Sequence, residues 1–431
     1  MQGTGPEDPS VPVDPSVDPA HDDVWADALV VLPDGTVKQR SPLTGTVVWT
    51  VPGRANRPLP ALTEPPSGPC AFCPERYADT PPEKARVVVG PDARVLRHVA
   101  AEDLTDTVAE FRRIPNLFEI LSVDYWRMNH GYEIPQEIEA RAAAYTSTPQ
   151  GREHVLAILR RRHGEAATLD RAVDLFAGTH DVVVARRHTN DDGELAGSGV
   201  LSPQTHRQYV GFTVDTMRDL YAAQPHARYV VAFQNWLRPA GASFDHLHKQ
   251  LVAIDEHGPR IDRVLARVQR EPQVFNSLVR HAVEHRLIVA QNGGAVAVAG
   301  VGHRYPSLEV YSTSEHSFPW EHTEEEVAAF SDLLHGVHAA TGTGVPTNEE
   351  WHHRPMDASA PMPWHAVLKW RVSTLAGFEG GTKIYVNTLD PVSLRERVVA
   401  ELLRLRDAGA LAPMSIGDEC VTPARALRYG S

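Results

Sequence analysis

Apolar residues along this chain alternate between short runs, which predict buried strands, and one-sided stripes, which predict amphipathic helices. Leu29-Val30-Val31-Leu32 with Pro33-Asp34-Gly35 behind it predicts a hairpin, and Val47 to Val51 a further strand. Phe111 to Phe118 reads as a strand entering a turn at Pro115-Asn116. Gly178 to His188 reads as a turn, a buried strand and a histidine just past its end. A helix begins at Ser202, with Pro203 in the first position and Tyr209, Phe212, Thr216, Met217, Leu220 and Tyr221 on one face. Tyr229 to Phe233 then predicts a strand, Asn235 to Gly241 a loop, and Phe244 to Ile254 a second strand.

From about residue 275 the order recurs. Strands at Leu287 to Ala290, Ala295 to Val298 and Leu308 to Tyr311 precede a helix striped by Val327, Phe330, Leu333, Leu334 and Val337. Thr323 and Glu326 form a capping box at its start, and a strand pair follows around Trp364 to Trp370. The repeated order predicts an α+β fold of two similar halves, antiparallel sheets with helices, from an internal duplication. The boundaries read as a disordered acidic Pro-rich tail at 1–24, an N-terminal half at 25–270, a degenerate C-terminal half at 271–408 and a C-terminal tail at 409–431.

Composition narrows the function classes. The chain has 431 residues, 42% of them hydrophobic and 23% charged, with a formal net charge of -13. An acidic surface does not suit a non-specific binder of nucleic acid or anionic membranes, which must neutralise phosphates. No apolar run approaches the roughly 20 residues of a membrane span, and no signal peptide is visible. Three cysteines are too few for a disulfide scaffold, so the expected compartment is reducing and cytoplasmic.

The chemistry concentrates in three stretches. Cys70-Ala71-Phe72-Cys73-Pro74 is a C-x-x-C turn that brings two thiolates within reach of one tetrahedral zinc; a redox pair is the alternative, but no strand–CxxC–helix pattern surrounds it. Phe244-Asp245-His246-Leu247-His248-Lys249-Gln250 sets three polar side chains at a spacing of two, which places them on one face of an extended strand. With His188 and His246 as candidates for the remaining ligands, the zinc is a closed structural site and His248 is left free. A fixed histidine near the Gly241-Ala242-Ser243 loop suits nucleophilic attack on phosphorus, with Ser243 and Gln250 as donors to the non-bridging oxygens. Arg54 and Arg57, on a proline-fenced loop, suit phosphate recognition or a plain solvated surface.

Together these residues resemble the galactose-1-phosphate uridylyltransferase branch of the histidine-triad superfamily, which includes ADP-glucose phosphorylases. The likeness runs from Ser41-Pro42-Leu43-Thr44-Gly45 and Pro52-Gly53-Arg54-Ala55-Asn56-Arg57-Pro58 through the C-x-x-C and Asn235 to Gln250. It ends at Leu375-Ala376-Gly377-Phe378-Glu379-Gly380-Gly381-Thr382. It implies two histidine-triad-like halves, one structural Zn²⁺ per chain on Cys70, Cys73, His188 and His246, and His248 as nucleophile assisted by Gln250 and Ser243. It also implies phosphate or nucleotide contacts at Arg54, Arg57, Asn116 and Asn235, sugar contacts at Phe378 and Glu379, and a homodimer. The activity implied is transfer of a nucleoside monophosphate group from a nucleoside diphosphate sugar to a sugar 1-phosphate or phosphate.

The chain departs from that pattern in places. The usual H-P-H-[GS]-Q is His-Leu-His-Lys-Gln, which puts Leu247 for a stiffening proline and adds Lys249 on the opposite face. Pro363-Trp364-His365 replaces an H-x-H that helps hold a second metal in some members. No second metal is therefore expected, and His352, His353 and His365 read as surface or core residues. Lys383, Thr388, Leu389 and Asp390 replace a Pro-rich segment, so the acceptor pocket is expected to differ. Two rivals stand beside transfer. A hydrolase of the superfamily carries a third histidine where this chain has Gln250, and a non-catalytic zinc-stabilised nucleotide-binding protein would account for the departures.

Overall fold

The computed structural model describes residues 25, 28–51, 68–90, 94–423 and 425–430. The predicted acidic tail and the loop bearing Arg54 and Arg57 lie outside the described residues. The chain opens with β1 (Leu29–Val31), β2 (Val37–Arg40) and β3 (Val47–Thr50). The first hairpin turns at Gly35 (φ 81°), where the Asp34 carboxylate accepts from the Thr36 amide at 2.9 Å. Next come β4 (Ala85–Val88), β5 (Val95–Arg97) and β6 (Ala109–Pro115). A helical insertion follows, with α1 (Val123–His130), α2 (Gln136–Tyr145), α3 (Pro149–His163) and α4 (Asp174–Ala177), before β7 (His180–Ala185). The helix predicted at Ser202 is α5 (Pro203–Ala223), capped by the Ser202 hydroxyl on the Thr205 amide. Then come β8 (Tyr229–Trp236), β9 (His248–Ile254), α6 (Pro259–Arg270) and α7 (Val274–Glu284).

The second half supplies β10 (Ile288–Gln291), β11 (Ala295–Ala299), β12 (Ser307–Ser312) and α8 (Glu324–Thr341), whose Thr323–Glu326 capping box is formed. After it come β13 (Thr347–His352), β14 (His365–Trp370), α9 (Gly377–Thr382), β15 (Ile384–Asn387), α10 (Pro391–Asp407) and β16 (Ser415–Ile416).

Two boundaries differ from the sequence reading. β8 runs on to Trp236, so Asn235 stands on a strand and not in the loop. β9 begins only at His248, and Phe244 to Leu247 lie in the bend before it. The chain reverses through Leu237 (φ 66°) and Gly241 (φ 89°), and the ladder resumes where the Ala185 amide meets the Leu247 carbonyl at 3.0 Å. Only His248 and Gln250 therefore share a strand face.

Among the described residues twelve strands form one antiparallel sheet, in the order β16-β10-β11-β12-β14-β13-β8-β9-β7-β6-β4-β5. The order is a palindrome about the β8–β13 seam: β6-β7-β9-β8 on one side mirrors β11-β12-β14-β13 on the other. Each set carries its helix in the same place, α5 between β7 and β8 and α8 between β12 and β13. β15 leaves this sheet and joins β3 in parallel, completing a small sheet β1-β2-β3-β15.

α5 packs against β7, β8 and β9, α8 against β11 and β12, and the two helices against each other. Register decides what each face shows. Val184 lies opposite His248 and Val182 opposite Gln250, which turns both site residues to the face away from α5. Lys249, opposite Val183, points to the helix side. It is 1% exposed and paired across the seam with Glu349, itself fully buried and held by His338 at 2.6 Å and by Trp351. A buried ammonium is tolerated only with such a partner. Leu247, fully buried, fills the same core.

Candidate active site and metal centre

Four side chains from three separated stretches converge at the start of β9. Cys70 and Cys73 arrive on the turn before a 3₁₀ segment at Pro74–Asp79, His188 lies just past β7, and His246 sits in the bend. Their ligand atoms all lie within 4.8 Å of one another. The two sulfurs are 3.8 Å apart; Cys70 Sγ lies 3.4 Å from His246 Nδ1, and Cys73 Sγ 3.5 Å from His188 Nδ1. A tetrahedral ion at ordinary metal–thiolate and metal–imidazole lengths sets its sulfurs about 3.8 Å apart and each about 3.5 Å from a nitrogen. The donor set fits a metal ion.

The protonation pattern agrees. His246 donates its Nε2 proton to the Ala185 carbonyl at 2.7 Å, which leaves the Nδ1 lone pair facing the thiols. Burial acts to raise the Cys70 thiol, but its contacts with His188 and His246 outweigh it and bring it down to about 5. Burial and the neighbouring Cys70 push Cys73 up. One thiolate is thus ready, and the second forms against a cation.

His248 follows directly. Its Nδ1–H donates to the His246 carbonyl at 2.7 Å, so the second ring nitrogen, Nε2, keeps its lone pair. Burial, above all, lowers its pKa to about 4 and keeps the ring neutral near pH 7. The Phe72 ring, carried between the two cysteines, packs 5.3 Å from the His248 ring and 4.6 Å from Phe244. The metal-type turn and the free histidine therefore share one wall.

On the same face Gln250 is met by Asn116, from the turn after β6, with Asn116 Nδ2 at 3.4 Å from Gln250 Oε1. Gln250 Oε1 also lies 3.0 Å from His180 Nε2. The sequence gives His180 little prominence, its one signal being a polar His180-Asp181 pair at the start of a strand that is otherwise apolar. Ser243 is exposed in the bend, without a hydrogen bond among the described residues. Asn235 accepts from Asn348 Nδ2 at 2.7 Å across the seam, and Asn348 also donates to the Ala240 carbonyl. Phe378 and Glu379 stand elsewhere, on α9 beside the small sheet. Phe378 faces Trp49 at 6.1 Å, the Glu379 carboxylate accepts from the Ala376 amide, and no hydrogen bond or ring contact joins either to His248 or Gln250. Arg260 of α6 places Nη1 2.7 Å from His352 Nε2 of the second half, and Lys369 holds Glu350 at 2.6 Å, so cationic side chains already occupy these donors. No helix among the described residues is long and apolar enough to cross a membrane.

A family model described as a domain of unknown function, DUF4921, matches residues 32–429. No curated protein matches the sequence. Among solved structures, an ADP-glucose phosphorylase from Arabidopsis thaliana with bound ADP-glucose superposes with a TM-score of 0.58 at 20% identity, covering 84% of this chain and 97% of that one. A GalT-like protein from Arabidopsis thaliana gives 0.56 at 18% identity, with coverage of 84% and 97%. The chain shares their fold.

Proposed function

Since this chain belongs to the DUF4921 family, whose description assigns no activity, we propose from its own site that it is a nucleotidyltransferase acting through a covalent nucleotidyl-histidine. The observation that supports this most directly is His248. Its Nδ1–H is committed to the His246 carbonyl, its Nε2 lone pair is free, and Gln250 lies two residues on along the same face. In the first step Nε2 attacks the α-phosphorus of a nucleoside diphosphate sugar, the P–O bond to the β-phosphate breaks, and the sugar 1-phosphate leaves with its electron pair. The imidazole gains positive charge, and the Nδ1–H bond to the His246 carbonyl strengthens as it does. In the second step an oxygen of a sugar 1-phosphate or of phosphate attacks the same phosphorus and releases His248.

Gln250 and Ser243 donate to the non-bridging oxygens as charge builds there. Gln250 has no proton to give a leaving group, which suits a phosphate that departs as an anion and disfavours the hydrolase reading. Asn116 and Asn235 border the nucleotide, Arg54 and Arg57 hold phosphates, and Phe378 and Glu379 serve the sugar. The last two stand beside β3, so in this reading they serve the site of a second copy of the chain. Zn²⁺ on Cys70, Cys73, His188 and His246 supplies rigidity only, since four protein ligands leave no open position.

ADP-glucose, the ligand bound in the similar phosphorylase, is the first donor to test, with UDP- and GDP-sugars beside it. Intact mass spectrometry after mixing should show an acid-labile, base-stable adduct of one nucleoside monophosphate, absent in His248→Ala. No adduct with any of these donors would leave the nucleotide-binding-protein reading in its place.

A further inference from the structure

The geometry points to His180 as a positioning residue that fixes the amide of Gln250, turning its N–H₂ edge toward the transferred phosphoryl group; the inference deepens the transferase reading and rests on it. A carboxamide has two edges, one donating and one accepting, and which one faces a ligand is set by what holds the other. Here the holding groups are His180 and Asn116.

The Ile120 amide donates to His180 Nδ1 at 3.3 Å. An amide nitrogen only donates, so Nδ1 is the acceptor and the ring proton sits on Nε2. His180 is 2% exposed, and burial keeps its ring neutral. Nε2–H then points at the Gln250 oxygen 3.0 Å away, which identifies that atom as Oε1. Asn116 supports the same assignment. Its Oδ1 accepts from the Phe118 amide at 2.9 Å, so its Nδ2 faces inward and donates weakly to the same Oε1. The 3.1 Å approach of Asn116 Nδ2 to His180 Nε2 is then a contact between two donors that share one acceptor.

With Oε1 held twice, Nε2 is the edge of Gln250 left for a ligand, on the face that carries His248. The turn itself is fixed, because the Asn116 amide donates to the His180 carbonyl at 2.7 Å. A backbone amide at Ile120 thus sets a tautomer, the tautomer sets an amide, and the amide presents hydrogen-bond donors where negative charge develops. Without His180 only the long 3.4 Å contact from Asn116 holds the oxygen, and a flipped carboxamide would aim that oxygen at an oxyanion.

Two measurements on the full-length protein test this. Nitrogen-15 NMR of the imidazoles should assign His180 the neutral Nε2–H form, and His180→Phe should shift the Gln250 side-chain N–H₂ signals. Single-turnover adduct formation should slow roughly 10- to 100-fold in His180→Phe, with nucleotide affinity little changed. Adding His180→Phe to Gln250→Ala should slow it no further, while His180→Asp, which offers an acceptor, should be worse than Phe. An Nδ1–H tautomer, unmoved Gln250 signals, or an equal loss in the Gln250→Ala background overturns the inference. The correct tautomer and shifted signals in a protein that forms no adduct would support the positioning and overturn the transferase reading alone.

Discussion

β9 and β14 occupy mirrored places in one sheet and carry a histidine at the same point. His248 Nδ1 bonds the carbonyl two residues back at 2.7 Å, and His365 Nδ1 does the same to Pro363 at 2.9 Å. Exposure does not separate them, at 4% and 3%. Their neighbours do. Two residues on, β9 has Gln250 and β14 has Val367; two residues back, a metal-type ligand faces a proline. His248 looks toward a turn bearing Phe72, whereas His365 is stacked on Tyr311 at 4.9 Å and walled by His352 and Phe275. A ring held in the right tautomer is therefore not a site. What separates the two places is the side chains around each ring, His246 and Gln250 beside His248 against aromatic and imidazole rings beside His365.

The largest effect that would break this contrast is on the chemistry. His248→Ala should leave no nucleotidyl adduct, while His365→Asn should leave adduct formation within about threefold, measured by intact mass after a single turnover. Equal losses would mean that both halves act. Metal content comes next. About one zinc per chain is expected by elemental analysis, lost in Cys70→Ser together with several kcal/mol of stability, and unchanged in His352→Asn.

The ion pairs give a smaller difference. Lys249→Met strands a fully buried Glu349 and should cost roughly 3–5 kcal/mol in urea unfolding, part of it recovered by adding Glu349→Gln. Lys369→Met should cost about 1 kcal/mol, because its partner Glu350 keeps 32% of its side chain exposed.

The smallest is a pH effect of opposite sign in the two halves. Burial raises the Glu119 pKa to about 7, against the pull of Arg162 and Lys84. Its contribution is therefore present below pH 4.5 and lost as pH rises through 7. Wild type should weaken over that window relative to Glu119→Gln, by at most about 3 kcal/mol. Burial would also raise Glu309, but the charge and hydrogen bond of His303 bring it down to about 2, so its contribution is lost as pH falls from 4.5 toward 2. Unfolding free energies of Glu119→Gln and wild type at pH 5.5 and 8 decide the first sign; parallel curves would refute it.

What the sequence made legible was local or periodic. Ser202 and Pro203, or Thr323 and Glu326, write their helix starts within four residues, and the four donors at Cys70, Cys73, His188 and His246 stand out by residue type. The start of β9 did not, because His246, His248 and Gln250 at a spacing of two read as one strand face, and only the backbone reversal at Leu237 and Gly241 removes Phe244 to Leu247 from the ladder. Nor did the partner of Lys249, one hundred residues away on β13, or the hold of His180 on Gln250. Such contacts depend on which strands become neighbours, and residue spacing carries no record of that. The helical insertion before β7 carries weak stripes, although Thr148 and Pro149 write the start of its 15-residue helix as Ser202 and Pro203 do theirs.

The seam between β8 and β13 has a further consequence. Along it each strand covers the unpaired amides and carbonyls of the other, so neither half of the palindrome owns two finished borders. A chain cut between the halves would present β8 as a bare edge rich in valine and aromatic residues, a template for self-pairing. Duplication here has produced not two independent folds but two pieces that guard each other from aggregation.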